Sequence, residues 1–221
     1  MNRSRTALGA DLSNPYPVNL ILAGRRCLVV GGGAVAARKT AGLVAADADV
    51  TVVAPVVSEA VVALGVVVHE RPYQRGEVAS YRLAVTCTDD PAVNAQVFRD
   101  GEAAGVWVNS ADDPERCAFT LPAVARRGDL QVTVSTAGRS PVLASWLRER
   151  LETELDAGYA PLLEVLSEVR VQARAELGTS EVPGWRKALE DGVVELVRCG
   201  DTDGARALVR SHLGLGREVG P

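Results

Sequence analysis

Three consecutive glycines, Gly31-Gly32-Gly33, follow the apolar run Cys27-Leu28-Val29-Val30 and precede Ala34-Val35-Ala36. Gly31, Gly33 and Ala36 satisfy the spacing G-x-G-x-x-[GA], in which a strand turns sharply into a helix. The first glycine permits the turn and the second lets the backbone approach a phosphate closely. The small third residue lets the helix pack on the strand. A pyrophosphate set there meets the free N–H groups at Ala34 and Val35 and the positive end of the helix dipole. The acidic residue that usually holds the ribose, about twenty positions further on, is missing. The second strand ends Val52-Val53-Ala54-Pro55, and the next acid is Glu59. Backbone around Ala54 and Pro55, with Ser58, is left to contact the adenosine. No arginine stands there to receive a 2′-phosphate, which favours NAD and leaves NADP open.

A second constellation is Asp112-Asp113-Pro114, just after another apolar run, Val106-Trp107-Val108-Asn109. A carboxylate at the end of a strand of an open α/β sheet sits where such folds bind ligands and can take a proton. Composition alone favours reading Asp112 as a turn or cap residue before the proline. Arg116, Arg126, Arg127, Arg139 and Arg148 follow, and arginine forks suit carboxylates and phosphates. The cysteines Cys27, Cys87, Cys117 and Cys199 contain no C-x-x-C pair, and the histidines are His69 and His212 alone. Structural zinc needs clustered ligands, so no metal site is expected. Cys27 and Cys87 read as buried thiols, His69 as the tip of a strand, and His212 has no role.

These residues need elements to hold them. Residues 1–15 show no periodicity and read as a mobile arm. From Tyr16 to Ser110, short apolar runs alternate with helical patterns. Strands are expected at Cys27 to Val30, Val50 to Ala54, Val66 to His69, Leu83 to Thr86 and Val106 to Asn109. Helices are expected from Ala34 to Ala46 and from Asp90-Pro91, a cap followed by proline, to Ala104. Strands separated by helical crossovers imply a Rossmann-like, doubly wound parallel sheet, hence the α/β class. Beyond Pro114, Ala118 to Leu121 and Gln131 to Thr136 look strand-like, with Arg126-Arg127-Gly128-Asp129 as a turn between them. Ser140-Pro141 opens a helix through Leu155. Apolar spacings of three and four then predict helices on Leu162, Leu166, Val169, Ala173 and Leu177, on Trp185, Leu189, Val193 and Leu196, and on Ala205, Leu208 and Val209. Turns are expected at Gly178-Thr179-Ser180 and Gly200-Asp201.

Composition sets the outer bounds. The chain has 221 residues, 47% hydrophobic and 24% charged, with 21 glycines and 11 prolines, which excludes disordered and collagen-like classes. Net charge is −4, so the broad basic face of a DNA-binding protein is not expected. Arg3 and Arg5 follow Met1 without an apolar core of signal-peptide length, and no apolar run is long enough for a membrane span. The cytoplasm is the expected address, and nucleic acid and membrane are not expected partners.

Several segments together resemble one family. They are Asn19-Leu20, Gly24 to Val30 with the glycine turn through Lys39, Thr51 to Pro55, Thr86-Cys87-Thr88-Asp89-Asp90, Val108 to Pro114, Phe119 to Pro122, and Val134 to Pro141. In collinear order they look like precorrin-2 dehydrogenase, the unit that also forms the N-terminal module of siroheme synthase. The resemblance implies NAD-dependent oxidation of precorrin-2 to sirohydrochlorin by a homodimer. Some members also insert ferrous iron, and nothing in these residues decides that step. It implies that Asp112 is catalytic and that Thr88 and Asp89 join Gly31, Gly33, Ala34, Val35, Ala54 and Pro55 at the cofactor. A substrate with many carboxylates needs local positive charge, and Arg139, in the glycine loop before a helix start, is with Ser140 the expected substrate contact among the five arginines. Thr136 stands where some relatives carry a phosphorylatable serine, and regulation at Ser135 or Thr136 is left open. The organisation expected is a cofactor domain at 1–118, a small α+β dimerisation segment at 119–155 and a C-terminal helical region at 156–221. The rival reading is an NAD-binding sensor that does no chemistry.

Overall fold

A computed structural model describes residues 15–111 and 113–216. The expected N-terminal arm lies, apart from residue 15, outside the described residues, and so does Asp112. The chain divides into two units, residues 1–121 and 122–221.

In the first unit β1 (Arg26–Val30), β2 (Asp49–Ala54), β3 (Val67–Glu70), β4 (Leu83–Thr86) and β5 (Trp107–Ser110) form one parallel sheet. Its order is β3-β2-β1-β4-β5. Helices α1 (Ala34–Val44), α2 (Glu59–Val62) and α3 (Pro91–Ala104) connect the strands. The two-residue period of a strand explains why the central runs are apolar throughout. Cys27 and Val29 of β1 enter a core with Val50, Val52, Val85 and Ala36. Leu28 and Val30 face the other way, into a core with Val53, Ala84, Val97 and Val108. The Cys27 thiol is pushed up to about 11 by burial, with the charge of Asp49 adding to the shift. Strand β3 lies at an edge and is mostly exposed, and it carries His69 near its end.

Helix α3 begins where its cap demands: the Asp90 carboxylate accepts from the N–H groups of Ala92 and Val93, and Pro91 takes the first turn. One expected strand does not form. Residues 118–121 contribute no strand; their neighbour Cys117 makes a lone antiparallel bridge to Asn109, and Ala118 N–H donates to Val108 O. That short contact covers the free edge of β5. Pro122 has no N–H to extend it, and pairing resumes only at Ala123.

In the second unit β6 (Ala123–Arg127) and β7 (Leu130–Val134) form an antiparallel hairpin. The expected four-residue turn shrinks to Gly128-Asp129, with Gly128 at φ 55°, because Arg126 and Arg127 stay in the ladder. Helix α4 (Pro141–Glu154) packs on the hairpin. Arg127 joins them, its guanidinium donating to the carbonyls of Glu152 and Leu155 at the end of α4. Then come α5 (Tyr159–Leu177), α6 (Trp185–Glu190), α7 (Val193–Arg198) and α8 (Thr202–Leu213). They enclose a core of Leu162, Val165, Val169, Ala173, Ala188, Val193, Val197, Ala205, Val209 and Leu213. The single helix expected across Trp185 to Leu196 is two. Gly192 at φ 98° breaks it, so Ala188 rather than Leu189 enters the core. Leu177 is likewise exposed beside the terminating Gly178.

Candidate functional site

The strand order reverses at β1, which has β2 on one side and β4 on the other. In an open parallel sheet the crevice at that switch, beyond the carboxyl ends of the strands, is where ligands bind. The glycine turn emerges from β1 at this point, and the loop that begins at Cys87 emerges from β4 beside it. The Cys87 N–H donates to Val30 O at 2.7 Å, and Gly31 N–H donates to Val53 O at 3.0 Å.

The three glycines have different neighbours. A Cβ on Gly31 would stand 2.6 Å from Cys87 O, and φ there is +127°. On Gly32 it would stand 2.0 Å from Val56 O. On Gly33 it would meet nothing within 4 Å. The first two therefore let the turn nest against neighbouring backbone, while the third opens to the crevice. Gly33 is also the N-cap of α1; it supplies no side-chain cap, and the first turn carries no acid. The leading amides of α1 are left for an anion, as a dinucleotide pyrophosphate requires. These residues fit the group. Gly32, which was not singled out in the motif, is fixed by its packing against Val56 rather than by an opening.

Ala54 ends β2 buried, and Pro55 follows it exposed. The strand end carries no acid, as expected. Ser58 N–H donates to Gly32 O at 2.8 Å, which ties the loop after β2 to the glycine turn. Thr88 does local work: its hydroxyl accepts from Asp90 N–H at 3.2 Å and has Asn94 Oδ1, at 2.9 Å, within reach of its single hydrogen, and Asn94 Nδ2 donates to Thr88 O at 2.8 Å. Asp89 is exposed. Cys87, expected buried, is only half-buried, because it lies at the mouth of the turn rather than within the strand.

After β5, Asp112 lies outside the described residues. Its neighbour Asp113 is committed: its carboxylate accepts from the Glu115 N–H and pairs with Arg116. Ala111 N–H donates to Thr86 O at 3.0 Å, which anchors this loop at the carboxyl end of β4. The Cys117 thiol touches the backbone of Ser110 and Asp113. Burial is the main reason its pKa is raised, and the Asp113 charge adds to it. The bond to Ser110 backbone and the charge of Lys39 oppose the shift. Cys117, and the charge of Lys39 that acts on it, were not expected at this loop. A polar Asn-Ser pair closing an apolar strand was the available signal.

In the second unit, Ser140 is the N-cap of α4, accepting from Leu143 N–H at 3.2 Å. Thr136 braces the same loop, its hydroxyl bonded to both the N–H and the carbonyl of Ser140. Arg139 is exposed, and its guanidinium has no partner among the described residues. Arg127 is spent on carbonyls, and Arg148 pairs with Glu149 and Glu152. Among the described residues, no three His, Cys, Asp or Glu side chains gather as a metal site.

Residues 18–123 match the family described as "Putative NAD(P)-binding", and residues 127–154 match "Sirohaem biosynthesis protein central". The siroheme synthase of Thioalkalivibrio sulfidiphilus is 37% identical over 210 residues, which is 92% of this chain and 43% of that protein. That of Chromobacterium violaceum is 38% identical over 207 residues, 91% of this chain and 44% of the other. The chain thus spans less than half the length of either relative. Among solved structures, "SirC, precorrin-2 dehydrogenase" is 27% identical with a TM-score of 0.68, covering 89% of this chain and 100% of that one.

Proposed function

Because this chain belongs to the family of siroheme synthases and precorrin-2 dehydrogenases, we propose that it oxidises precorrin-2 to sirohydrochlorin with NAD. One observation carries the reading. The likeness to a precorrin-2 dehydrogenase extends over all of that protein and includes the sheet whose switch point bears the open glycine turn.

Aromatising the macrocycle removes a hydride and a proton. NAD, when bound, supplies the hydride acceptor. Gly31, Gly33 and the amides of Ala34 and Val35 hold the pyrophosphate, and backbone at Ala54 and Pro55 borders the adenosine. Thr88 shapes the opposite wall through its bonds to Asn94, and Asp89 lines it. Asp112 takes the proton. The capping and pairing of Asp113 support that choice, since its carboxylate is already engaged. The substrate carries several carboxylates, and Arg139, beside Ser140 and without a side-chain partner among the described residues, binds one of them.

In this reading residues 1–118 hold the cofactor, residues 119–155 build a homodimer and residues 156–221 form a helical region. The exposed apolar side chains Val142, at 80%, and Trp146, at 50%, on α4 support the dimer. All four cysteines are free, which supports a cytoplasmic setting. No helix among the described residues is long and apolar enough to cross a membrane.

The test mixes purified protein, precorrin-2 and NAD and follows NADH and the visible spectrum of the macrocycle. Asp112→Asn is expected to bind NAD as the parent does and to lose at least about 100-fold in turnover, the usual scale for a missing general base. An inactive parent that binds NAD supports the sensor instead. Ferrous iron added after oxidation reads metal insertion as an iron-dependent rate above the spontaneous one.

A further inference from the structure

The amino ends of the strands, opposite the cofactor crevice, frame a groove of about 840 Å³ within the first unit. Strand β1 is five residues long, and at about 3.3 Å per residue it separates the groove from the crevice by about 16 Å. Arg25 and Arg26 line the groove where β1 begins, Arg82 just ahead of β4, and Trp107 at the start of β5. Arg82 N–H donates to Arg26 O at 2.9 Å, so two of the arginines stem from hydrogen-bonded neighbours. The Arg26 guanidinium lies over the Tyr81 ring, 4.8 Å from its centre, and Trp107 is half exposed. No acid lines the groove, and none of the three guanidiniums pairs with a carboxylate among the described residues. Asp49, in register with Arg26 on β2, stays outside the lining.

Three like charges gathered at one edge of a sheet repel one another until an anion joins them. The carboxyl end of α3 reaches the groove at Ala104 and Gly105 and offers about half a negative charge, too little to balance three. We propose that this groove is a second binding site, for a flat macrocycle bearing several carboxylates, of the class that the oxidation consumes and makes. The choice of macrocycle rests on the proposed reaction; the charge and shape of the groove do not. The volume lies in the upper part of the range for small-molecule sites, which leaves room for a ring system of that size. Guanidinium forks bond carboxylates in pairs, and the Trp107 ring offers a face to a flat π-system. Phosphate is less well served. Helix α3 and the 3-10 turn Glu77–Ser80 meet the groove by their carboxyl ends, which present carbonyls rather than free amides.

The probe is uroporphyrin, a stable flat macrocycle with carboxylates around its rim, added to the full chain saturated with NAD. Heteronuclear NMR spectra report the indole N–H groups of the three tryptophans, and Trp107→Phe assigns one of them. That resonance is expected to move as the probe is added. Replacing both Arg25 and Arg82 by alanine breaks no side-chain bond among the described residues. The double variant is expected to weaken the response at least about tenfold. Its melting temperature, NAD affinity and turnover of precorrin-2 should stay at parent values. Arg139→Ala should leave the Trp107 response unchanged, which separates this groove from the proposed substrate contact. A Trp107 resonance that stays in place, or a parent-like response in the double variant, overturns the macrocycle site. So does a response lost in Arg139→Ala, or one that ATP elicits at lower concentration than uroporphyrin. NADH formation with a silent Trp107 overturns this site alone. A responsive Trp107 in a protein that makes no NADH overturns the oxidation and keeps the groove.

Discussion

Gly32 and Gly33 are neighbours of identical chemistry with opposite tolerance for a methyl group. The Cβ of an alanine at Gly32 would lie 2.0 Å from the Val56 carbonyl, so backbone must move. Gly32→Ala is expected to destabilise the protein by about 3 kcal/mol, the upper range for overpacking, read as a lower melting temperature. At Gly33 the methyl enters open space, so the fold is untouched. The same methyl occupies the approach to the α1 amides, and Gly33→Ala should weaken NAD binding at least about tenfold, or about 1.4 kcal/mol, at an unchanged melting temperature. Calorimetric titration with NAD checks this, and parent-like affinity would falsify the pyrophosphate assignment. The motif was legible as text because a strand, a turn and a helix start are contiguous. Which glycine meets protein and which meets solvent depends on Cys87 and Val56, from loops remote in sequence.

Element ends were read well wherever a cap spells them out. Asp90-Pro91 and Ser140-Pro141 start α3 and α4 as expected, since both signals act within one turn of the chain. The misses share a different cause. Residues 118–121 have strand-like composition, but the partner they meet is the edge of β5, where a single bridge forms before Pro122 stops the ladder. The pattern across Trp185 to Leu196 has helical spacing, and the αL backbone of Gly192 divides it. In the loop ahead of α4, capping and substrate binding fall on adjacent residues, which lets them be separated. Ser140→Ala removes the acceptor for Leu143 N–H and should cost about 1 kcal/mol of stability. Arg139→Ala breaks no bond among the described residues and should leave the melting temperature alone while raising KM for the tetrapyrrole. An unchanged KM removes Arg139 from the substrate site.

Across the whole molecule, each unit builds its own core, the first on two faces of a parallel sheet and the second among helices α5 to α8. Helix α4 carries Val142, Leu143 and Trp146 exposed, with Arg150 stacked over the Trp146 ring at 5.0 Å. An exposed group of that kind is stabilised when a second copy covers it. For the proposed homodimer, Trp146→Glu should shift the mass seen by sedimentation velocity from two chains to one at micromolar concentration, with the helical circular dichroism retained. A dimer that survives the substitution places its interface elsewhere.

Local order in the chain was enough for the α/β class, the five parallel strands, the capped helices and the glycine turn, because each depends on residues a few positions apart. Tertiary structure alone decided that Gly31 is pressed against Cys87, that Gly32 is pressed against Val56, and that Arg127 reaches the carbonyls of Glu152 and Leu155. Those facts come from contacts between segments that only folding brings within bonding distance, and neither periodicity nor composition encodes which backbone atom will be waiting there.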